Sequence, residues 1–301
     1  MSSYLESIED VIRKLAQAGY VADRALATVL FLAHRLEKPV FLEGEPGVGK
    51  TEVGLVMARL FDVPLIRLQC YEGLDAATAL YEWNYPKQLL HIKLEEHGKR
   101  DQKEIEEYIY GPEFLIKRPL LEAILKSEDQ TPVLLIDEID RSDEEFEAFL
   151  LEVLSDFQIT IPEIGTMAAQ QRPMVVVTSN RTRDVHDALK RRCLYHWIEY
   201  PSFEKEYSIV MTRLPGVEER LARQIVGFIQ GLREKDFLKK PGISETLDWA
   251  RALVALDREY LDPAVILETL GCILKYEEDI KRFRKEFEAS GMEMGQEMAP
   301  A

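Results

Sequence analysis

The stretch Gly44-Glu-Pro-Gly-Val-Gly-Lys-Thr51 decides the fold of this chain. It matches the pattern G-x-x-x-x-G-K-[ST] at every fixed position. It directly follows the apolar run Pro39-Val-Phe-Leu-Glu43 and opens a segment with helical periodicity. Glycines allow backbone N–H groups to turn inward around a phosphate, and the positive end of the next helix strengthens that field. The stretch therefore predicts a strand, a phosphate-binding loop and a helix.

The last residues of this loop carry the predicted chemistry. Lys50 is expected to contact the β- and γ-phosphates of a nucleotide, and the Thr51 hydroxyl is expected to coordinate Mg²⁺. A glycine-rich turn without a ligand is the alternative. The predicted nucleotide-binding residues are Gly44, Glu45, Pro46, Gly47, Val48, Gly49, Lys50, Thr51 and Glu52.

Short apolar runs alternate with longer helical segments from Lys38 to about Pro201. The predicted strands lie at 39–43, 64–69, 132–136, 174–178 and 195–199. Three of them are nearly continuous apolar runs, as expected where helices cover both faces of a parallel sheet. We therefore predict an α/β nucleotide-binding domain over residues 1–201, built on a five-stranded parallel sheet flanked by helices.

After Pro201 the chain shows helical periodicity alone. Predicted helices lie at 203–212, 217–232, 244–260 and 263–275, followed by a charged helical run to 288. They form a smaller all-helical lid domain over 202–288, and residues 289–301 are predicted to be a flexible tail.

A helix is also predicted over 143–155, where apolar residues recur at helical spacing. Ser142 and Glu145 have the spacing of a capping box at its start.

Two acids end the apolar strand Val133-Leu-Leu-Ile-Asp-Glu138. Ligands of open α/β folds bind at this carboxyl edge of the sheet. Asp137 is predicted to hold Mg²⁺, and Glu138 is predicted to orient and polarise an attacking water. An acid pair after a strand can also cap a helix, but its combination with the glycine-rich loop favours catalysis.

Two more candidates follow later in the chain. Asn180 ends the run Val175-Val-Val-Thr-Ser-Asn180 and can donate to a γ-phosphate, although asparagine is also an ordinary turn former. The run Ala188-Leu-Lys-Arg-Arg-Cys193 ends a short helix with three cations, which suit the negative end of a helix dipole. We favour an arginine finger that neutralises charge on the transferred phosphoryl group, with Arg192 the first candidate and Arg191 the second.

Composition narrows the class of protein. The 301 residues contain 38 Lys and Arg against 54 Asp and Glu, a formal net charge of −16, which argues against nucleic acid as a partner. No apolar run approaches the roughly 20 residues of a membrane helix, and the acidic N-terminus lacks the secretory pattern, so we expect no membrane span and a cytoplasmic location. Three scattered cysteines, Cys70, Cys193 and Cys272, are predicted to be reduced thiols.

The loop, the Asp-Glu strand, Asn180 and the Arg191-Arg192 pair resemble the ATPase core of the AAA+ class in order and spacing. Within that class, Asp137-Glu-Ile-Asp-Arg141 and Phe157-Gln-Ile-Thr-Ile-Pro162 are similar to the MoxR group. More narrowly, three segments resemble the CoxD-type subgroup linked to carbon-monoxide dehydrogenase maturation: Leu68-Gln-Cys-Tyr-Glu-Gly73, Tyr81-Glu-Trp-Asn-Tyr85 and 190–197.

This resemblance implies a Mg²⁺-dependent ATPase that binds ATP, forms a homo-hexameric ring and takes an arginine from the neighbouring subunit. It also implies a protein client in metalloenzyme cofactor maturation, such as a molybdenum/copper hydroxylase, and a partner with a von Willebrand factor A domain. By the same resemblance, an insertion at about 69–90 and a hairpin at about 157–173 face the ring axis, and Tyr20 packs against adenine.

Some positions depart from the family pattern. Relatives often carry asparagine where Asp140 stands, and Thr246 occupies the place of a second sensing arginine, with Arg251 the nearest substitute. Two other functions use the same loop, a nucleic-acid motor and a small-molecule kinase. The net charge opposes the first, and Asn180 and Arg192 have no evident role in the second.

Overall fold

The computed structural model describes residues 5–95, 108–126 and 131–289. The β-strands are β1 (Val40–Gly44), β2 (Leu65–Gln69), β3 (Tyr81–Trp83), β4 (Leu115–Lys117), β5 (Val133–Asp137), β6 (Gln158–Ile161), β7 (Gly165–Ala168), β8 (Met174–Ser179) and β9 (Leu194–Ile198). The predicted tail from residue 290 onward lies outside the described residues.

The helices alternate with these strands and then continue alone. They are α1 (Ile8–Gln17), α2 (Arg24–Leu36), α3 (Lys50–Phe61), α4 (Ala76–Leu80), α5 (Tyr85–Glu95), α6 (Pro119–Lys126), α7 (Glu144–Asp156), α8 (Asp187–Arg192), α9 (Phe203–Arg213), α10 (Glu219–Arg233), α11 (Ile243–Ala255), α12 (Pro263–Thr269) and α13 (Glu277–Ala289). Among the described residues, no helix is both long and apolar enough to cross a membrane.

The predicted five-stranded parallel sheet is confirmed, with strand order β2-β5-β8-β1-β9. The central strands β1 and β5 are buried along their whole length, because helices cover both faces. Strand β2 lies at the edge of the sheet, and its burial alternates, so that Arg67 and Gln69 are exposed. The register pairs Gln69 with Asp137 and Glu43 with Ser179, which brings polar residues together at the carboxyl edge.

Two antiparallel pairs lie outside the main sheet. Strands β3 and β4 pair with each other, and β3 falls inside the insertion predicted at 69–90. Strands β6 and β7 form a hairpin inside the segment predicted at 157–173. That these segments face a ring axis stays a prediction.

The chain divides into two compact units. One contains Asp23–Glu43 and Thr51–Trp197, and the other contains Leu15–Ala22, Gly44–Lys50 and the residues from Ile198 onward. The phosphate-loop residues thus group with the helical part of the chain. The predicted domain boundary at 201 stays a prediction.

Each unit has its own apolar core. In the first, Phe41, Ile136 and Val177 from three strands pack with helix α7 residues such as Leu150. In the second, Trp249 is fully buried among apolar side chains of α10 and α12, and its indole N–H donates to the Thr269 hydroxyl at 2.8 Å.

Three local predictions were wrong. Helix α11 ends at Ala255 instead of 260, since Asp257 adopts a left-handed conformation with φ of 52°. Helix α12 ends at Thr269 and is followed by a 3-10 turn. The predicted capping box of α7 does not form either, because Asp143 is the N-cap and accepts from the Phe146 N–H at 2.8 Å, while the Ser142 hydroxyl donates to the carbonyl of Ile139.

Candidate active site

The phosphate loop curls around the side chain of Lys50. The buried Lys50 ammonium donates to the carbonyl oxygens of Gly44 and Glu45, both at 2.7 Å. Gly47 has φ of +79° and Gly49 has φ of +94°, values that favour glycine. The loop therefore has the conformation that its glycines predict.

The first turn of α11 is bonded to the same loop. The carbonyl oxygen of Gly47 accepts from the backbone N–H groups of Ile243 at 2.9 Å and Ser244 at 3.3 Å. The Glu245 carboxylate accepts from the Gly242 N–H at 2.9 Å and closes the start of the helix. Free N–H groups at a helix start need such partners, so the loop serves as part of the α11 cap.

The residue after Lys50 belongs to a second cluster, at the carboxyl edge of the sheet. The Thr51 hydroxyl donates to Asp137 Oδ1 at 3.0 Å, and the Thr178 hydroxyl donates to the same oxygen at 2.5 Å. Asp137 is almost fully buried. The structure thus brings together the two predicted Mg²⁺ ligands, Thr51 and Asp137, across 86 positions of sequence.

These oxygen donors fit a hard divalent cation. Mg²⁺ is usually bound by one or two protein oxygens, with phosphate and water oxygens completing its octahedral shell. A hydroxyl and a carboxylate that share a hydrogen bond can turn toward one ion without moving the backbone. The set of Thr51 and Asp137 therefore suits Mg²⁺ bound together with a nucleotide.

Glu138 lies beside Asp137 in a left-handed backbone conformation, with φ of 56°. Its backbone N–H donates to the Thr178 hydroxyl at 2.9 Å. Its carboxylate accepts from Gln69 Nε2 at 3.0 Å and from Arg141 Nη1 at 3.2 Å. The predicted base is therefore held by two polar side chains at the surface of the sheet edge.

The carboxylate of Asp140 positions Asn180. In the sequence, Asp140 stands out only because relatives often carry asparagine at this position. Asp140 is buried, and its Oδ1 accepts from the Asn180 N–H at 3.1 Å. Its Oδ2 accepts from the Thr182 N–H at 2.9 Å and the Thr182 hydroxyl at 2.7 Å. A carboxylate can accept on both oxygens, whereas an asparagine side chain has one acceptor oxygen. Asp140 thus shapes the turn that carries Asn180.

The two candidate finger residues are exposed at the end of α8. Arg192 Nη1 donates to the Ser155 hydroxyl at the end of α7. The preceding Lys190 is different, because its ammonium pairs with Glu43 at 3.2 Å, at the end of β1. Tyr195 donates to the same carboxylate at 2.8 Å, and burial followed by this hydrogen bond raises the pKa of Tyr195 to about 12. Residue spacing does not indicate this Glu43 network, because Lys190 and Tyr195 lie 147 and 152 positions from Glu43.

Three resemblance-based positions lie in the helical unit. Thr246 is buried and donates to Glu206 Oε1 at 2.7 Å, while Arg251 forms an exposed pair with Asp248 at 2.9 Å. Tyr20 is half-buried in the turn that follows α1, where its N–H donates to the Leu15 carbonyl at 2.9 Å. The adenine contact of Tyr20 stays a prediction.

All three cysteines are free thiols. Burial, and next the neighbouring Asp137 carboxylate, raise the pKa of Cys70 to about 12, so its thiol stays protonated. Burial also raises the pKa of Cys193 to about 12.

Comparison with known proteins places these features in a family. The sequence profile of the AAA domain (dynein-related subfamily) matches residues 39–193. The chain is 25% identical over 229 residues to an uncharacterized protein of Staphylococcus epidermidis, covering 74% of this chain and 78% of that protein. It is 26% identical over 228 residues to an uncharacterized protein of Staphylococcus aureus, covering 73% and 77%.

Among solved structures, the chain is similar to the Thermotoga maritima RuvB Holliday junction branch migration motor. That similarity has 17% identity and a TM-score of 0.45, and it covers 89% of this chain and 72% of that one. The family profile spans more than half of the chain, from the start of β1 through the phosphate loop, the Asp-Glu strand and Asn180 to the end of α8. The chain therefore belongs to the AAA domain family, in its dynein-related subfamily.

Proposed function

We propose that this AAA-family P-loop ATPase hydrolyses ATP with Mg²⁺ in a ring of identical subunits, and uses the reaction to remodel a protein client during metalloenzyme cofactor maturation. The observation that carries the ATPase part is the cluster of Thr51, Asp137 and Glu138 at the sheet edge. The cluster supplies a hydroxyl that can bind the metal and, on two consecutive residues of the sheet edge, a buried carboxylate and a partly exposed base.

Binding falls to the phosphate loop and its neighbours. Lys50 now bonds two loop carbonyls, and phosphate oxygens would replace them as acceptors for its ammonium. Thr51 and Asp137 would hold Mg²⁺, which neutralises phosphate charge when bound. Since phosphoryl transfer to water needs little covalent chemistry, positioning and charge neutralisation supply most of the rate.

Glu138 is the proposed general base. Its carboxylate is partly exposed, with partners that are an amide and a guanidinium, so a water molecule can replace either of them. Asn180, held by Asp140, is proposed to orient the same water or the terminal phosphate.

The proposed arginine finger acts on a neighbouring subunit. Arg191 and Arg192 are exposed on a short helix that Lys190 anchors to Glu43, and a partner subunit would have to displace the hydrogen bond of Arg192 to the Ser155 hydroxyl. A guanidinium supplied in this way neutralises the transition-state charge. This arrangement supports a ring, for which a hexamer is proposed by resemblance.

The client and the von Willebrand factor A domain partner are proposed from the same resemblance. Two exposed tyrosines, Tyr71 and Tyr85, lie in the insertion at about 69–90, which by the same resemblance faces the ring axis. Aromatic side chains bury large areas at little entropic cost, which suits them to grip a protein chain. Trp83, in contrast, is buried and packs edge-on against Tyr81 and Tyr110.

The variant Glu138→Gln tests the ATPase mechanism. It should still bind ATP and lose hydrolysis by about 10²–10⁴-fold, the usual contribution of a general base. Phosphate release and fluorescent-nucleotide binding measure the two effects. Glu259→Gln, a change at an exposed glutamate of the helical unit, is the matched control and should leave both unchanged. Full hydrolysis by Glu138→Gln would refute the assigned base.

Mixing variants tests the shared site. Arg191→Ala/Arg192→Ala and Glu138→Gln should each be inactive, whereas a mixture should regain activity wherever an intact pocket meets an intact finger. An undiminished rate in a dilute, monomeric double-arginine variant would refute the shared site.

Two further experiments test the proposed client. Pull-down with Glu138→Gln in the presence of ATP should retain the client protein. Stimulation of the ATPase rate by DNA would favour a nucleic-acid motor instead.

A further inference from the structure

Arg67 makes a contact that none of the roles above uses. It lies on the edge strand β2, with about half of its side chain exposed. Its Nη2 is 2.5 Å from Asp137 Oδ2 and 2.6 Å from Gln69 Oε1. One guanidinium nitrogen thus contacts both the proposed metal ligand and a neighbouring amide.

The contact pairs a buried carboxylate with a counter-charge. The Asp137 side chain is 2% exposed, and its Oδ1 is occupied by the hydroxyls of Thr51 and Thr178. Oδ2 has Arg67 as its partner. Burial of an ionised carboxylate is costly unless it is paired, so Arg67 stabilises Asp137 in the metal-free protein.

The same oxygens are needed by the metal. A divalent cation on Asp137 repels a guanidinium that remains on the same carboxylate. Arg67 can leave, because half of its side chain is in solvent and it makes a single hydrogen bond to Asp137.

Movement of Arg67 also affects the proposed base. Gln69 accepts from Arg67 through Oε1 and donates to Glu138 Oε2 through Nε2, at 3.0 Å. A flat amide cannot rotate one end without moving the other. Asp137, Arg67, Gln69 and Glu138 therefore form one continuous hydrogen-bonded chain.

We propose that Arg67 is a positioning residue that competes with Mg²⁺ for Asp137 and leaves that carboxylate when the metal binds. The inference rests on the proposed function, since it needs Asp137 to bind the metal. The proposal predicts that Arg67 lowers the affinity of the nucleotide-free protein for Mg²⁺.

Arg67→Met tests the proposal, because methionine keeps much of the apolar stem and removes the charge. Mn²⁺ binding in the presence of ADP is measured by electron paramagnetic resonance, and ADP binding is measured without metal. The half-saturating Mn²⁺ concentration should fall by about 10-fold, within the range seen for groups that contact metal ligands. ADP affinity without metal should not change.

Controls separate this result from simpler outcomes. Arg24→Met breaks an exposed pair with Glu9 and should leave Mn²⁺ affinity unchanged. Unchanged or weaker Mn²⁺ binding by Arg67→Met would overturn the proposal, and so would a loss of ADP affinity without metal, which would place Arg67 on phosphate. Arg67→Gln gives the same test if the methionine variant does not fold. If Asp137→Asn binds Mn²⁺ as the unaltered protein does, the metal site itself is wrongly assigned.

A kinetic readout tests the competition for Asp137 independently. Arg67→Met should reach its half-maximal rate at a lower Mg²⁺ concentration than the unaltered protein, while its kcat at saturating Mg²⁺ stays the same, because the variant lacks only the competitor for Asp137. An equal Mg²⁺ requirement in the variants of Arg67 and Arg24 would reduce Arg67 to an ordinary surface residue.

Discussion

Two buried carboxylates of this protein, Glu206 and Asp137, are paired with very different arginines. Glu206 is fully buried, and Arg233 bonds both of its oxygens at 2.6 and 2.7 Å with only 5% of its own side chain exposed. Asp137 is equally buried, but Arg67 reaches it from a half-exposed position through one nitrogen. In the pair of Glu206 and Arg233 both side chains are shielded from solvent, whereas in the pair of Asp137 and Arg67 the arginine is half exposed.

Further contacts separate the two pairs. Glu206 also accepts from Gln230 at 2.8 Å and Thr246 at 2.7 Å, so it joins α9, α10 and α11. Arg233 donates its remaining N–H to the Pro241 carbonyl and lies over the Tyr200 ring. Every partner here is another part of the helical unit. A fully satisfied buried pair holds helices together, whereas a partly solvated pair can exchange its cation.

The largest expected effect is on the pair of Glu206 and Arg233. Arg233→Met should destabilise the protein by about 3–5 kcal/mol, because it leaves the Glu206 charge buried and unpaired. Urea unfolding followed by circular dichroism measures the change. Arg251→Met, which breaks the exposed pair with Asp248, is the control and should cost at most about 1 kcal/mol. Similar losses in both variants would contradict the distinction between the pairs.

Breaking the pair of Arg67 and Asp137 should change metal binding more than it changes the free energy of unfolding. Asp137→Asn keeps an acceptor oxygen for Thr51 and Thr178 and leaves Arg67 free to enter solvent. We expect the affinity for Mg²⁺ with nucleotide to fall on the order of 100-fold, since changes around metal ligands cost about 10–100-fold. Metal titration and urea unfolding, run in parallel, check this. A stability loss as large as that of Arg233→Met would make Asp137 a structural residue like Glu206.

The contact between the phosphate loop and α11 offers a third test, within the helical unit. A Cβ on Gly47 would lie 2.8 Å from Ser244 Oγ and 3.3 Å from Gly242 Cα, whereas a Cβ on Gly49 would meet no atom within 4 Å. Both glycines have positive φ, so backbone strain is common to both alanine variants. Gly47→Ala should therefore be less stable than Gly49→Ala by about 1–2 kcal/mol in nucleotide-free unfolding experiments. Equal stability of the two variants would mean that the start of α11 shifts at little energetic cost to accommodate the methyl group on residue 47.

The sequence predicts the sheet well and the ion pairs poorly, for physical reasons. Strands such as β1 and β5 are buried apolar runs, and their bounds follow from composition to within one residue. The contact between Thr51 and Asp137 was predictable, because a phosphate loop and an acid-ended strand of one parallel sheet meet at the same edge. Arg67 was not, since an alternating edge strand shows that a side chain is exposed but not which carboxylate it reaches.

Local competition explains the other differences. The Ser142 hydroxyl was available to two turns, and the preceding 3-10 turn takes it, which leaves the cap of α7 to Asp143. Asp140 looked like a departure from a family pattern, but its two oxygens bond three donors of the turn that holds Asn180 and Thr182. Such choices depend on distances across the fold that residue spacing does not encode.

The smallest expected effect comes from a buried group that avoids charge altogether. Burial raises the pKa of Cys193 from 9.0 to about 12, with Lys38 acting in the opposite direction. A raised folded-state pKa means that the full stability is present below pH 9 and declines between pH 9 and 12, because the unfolded thiol ionises first. Between pH 8 and 10 the unaltered protein should therefore lose about 1.4 kcal/mol relative to Cys193→Ala, measured by urea unfolding at each pH. A constant difference between the two proteins would show that the Cys193 thiol ionises in the folded protein. Burial alone would then not keep this thiol neutral, whereas the buried Glu206 carboxylate has the charge of Arg233 beside it.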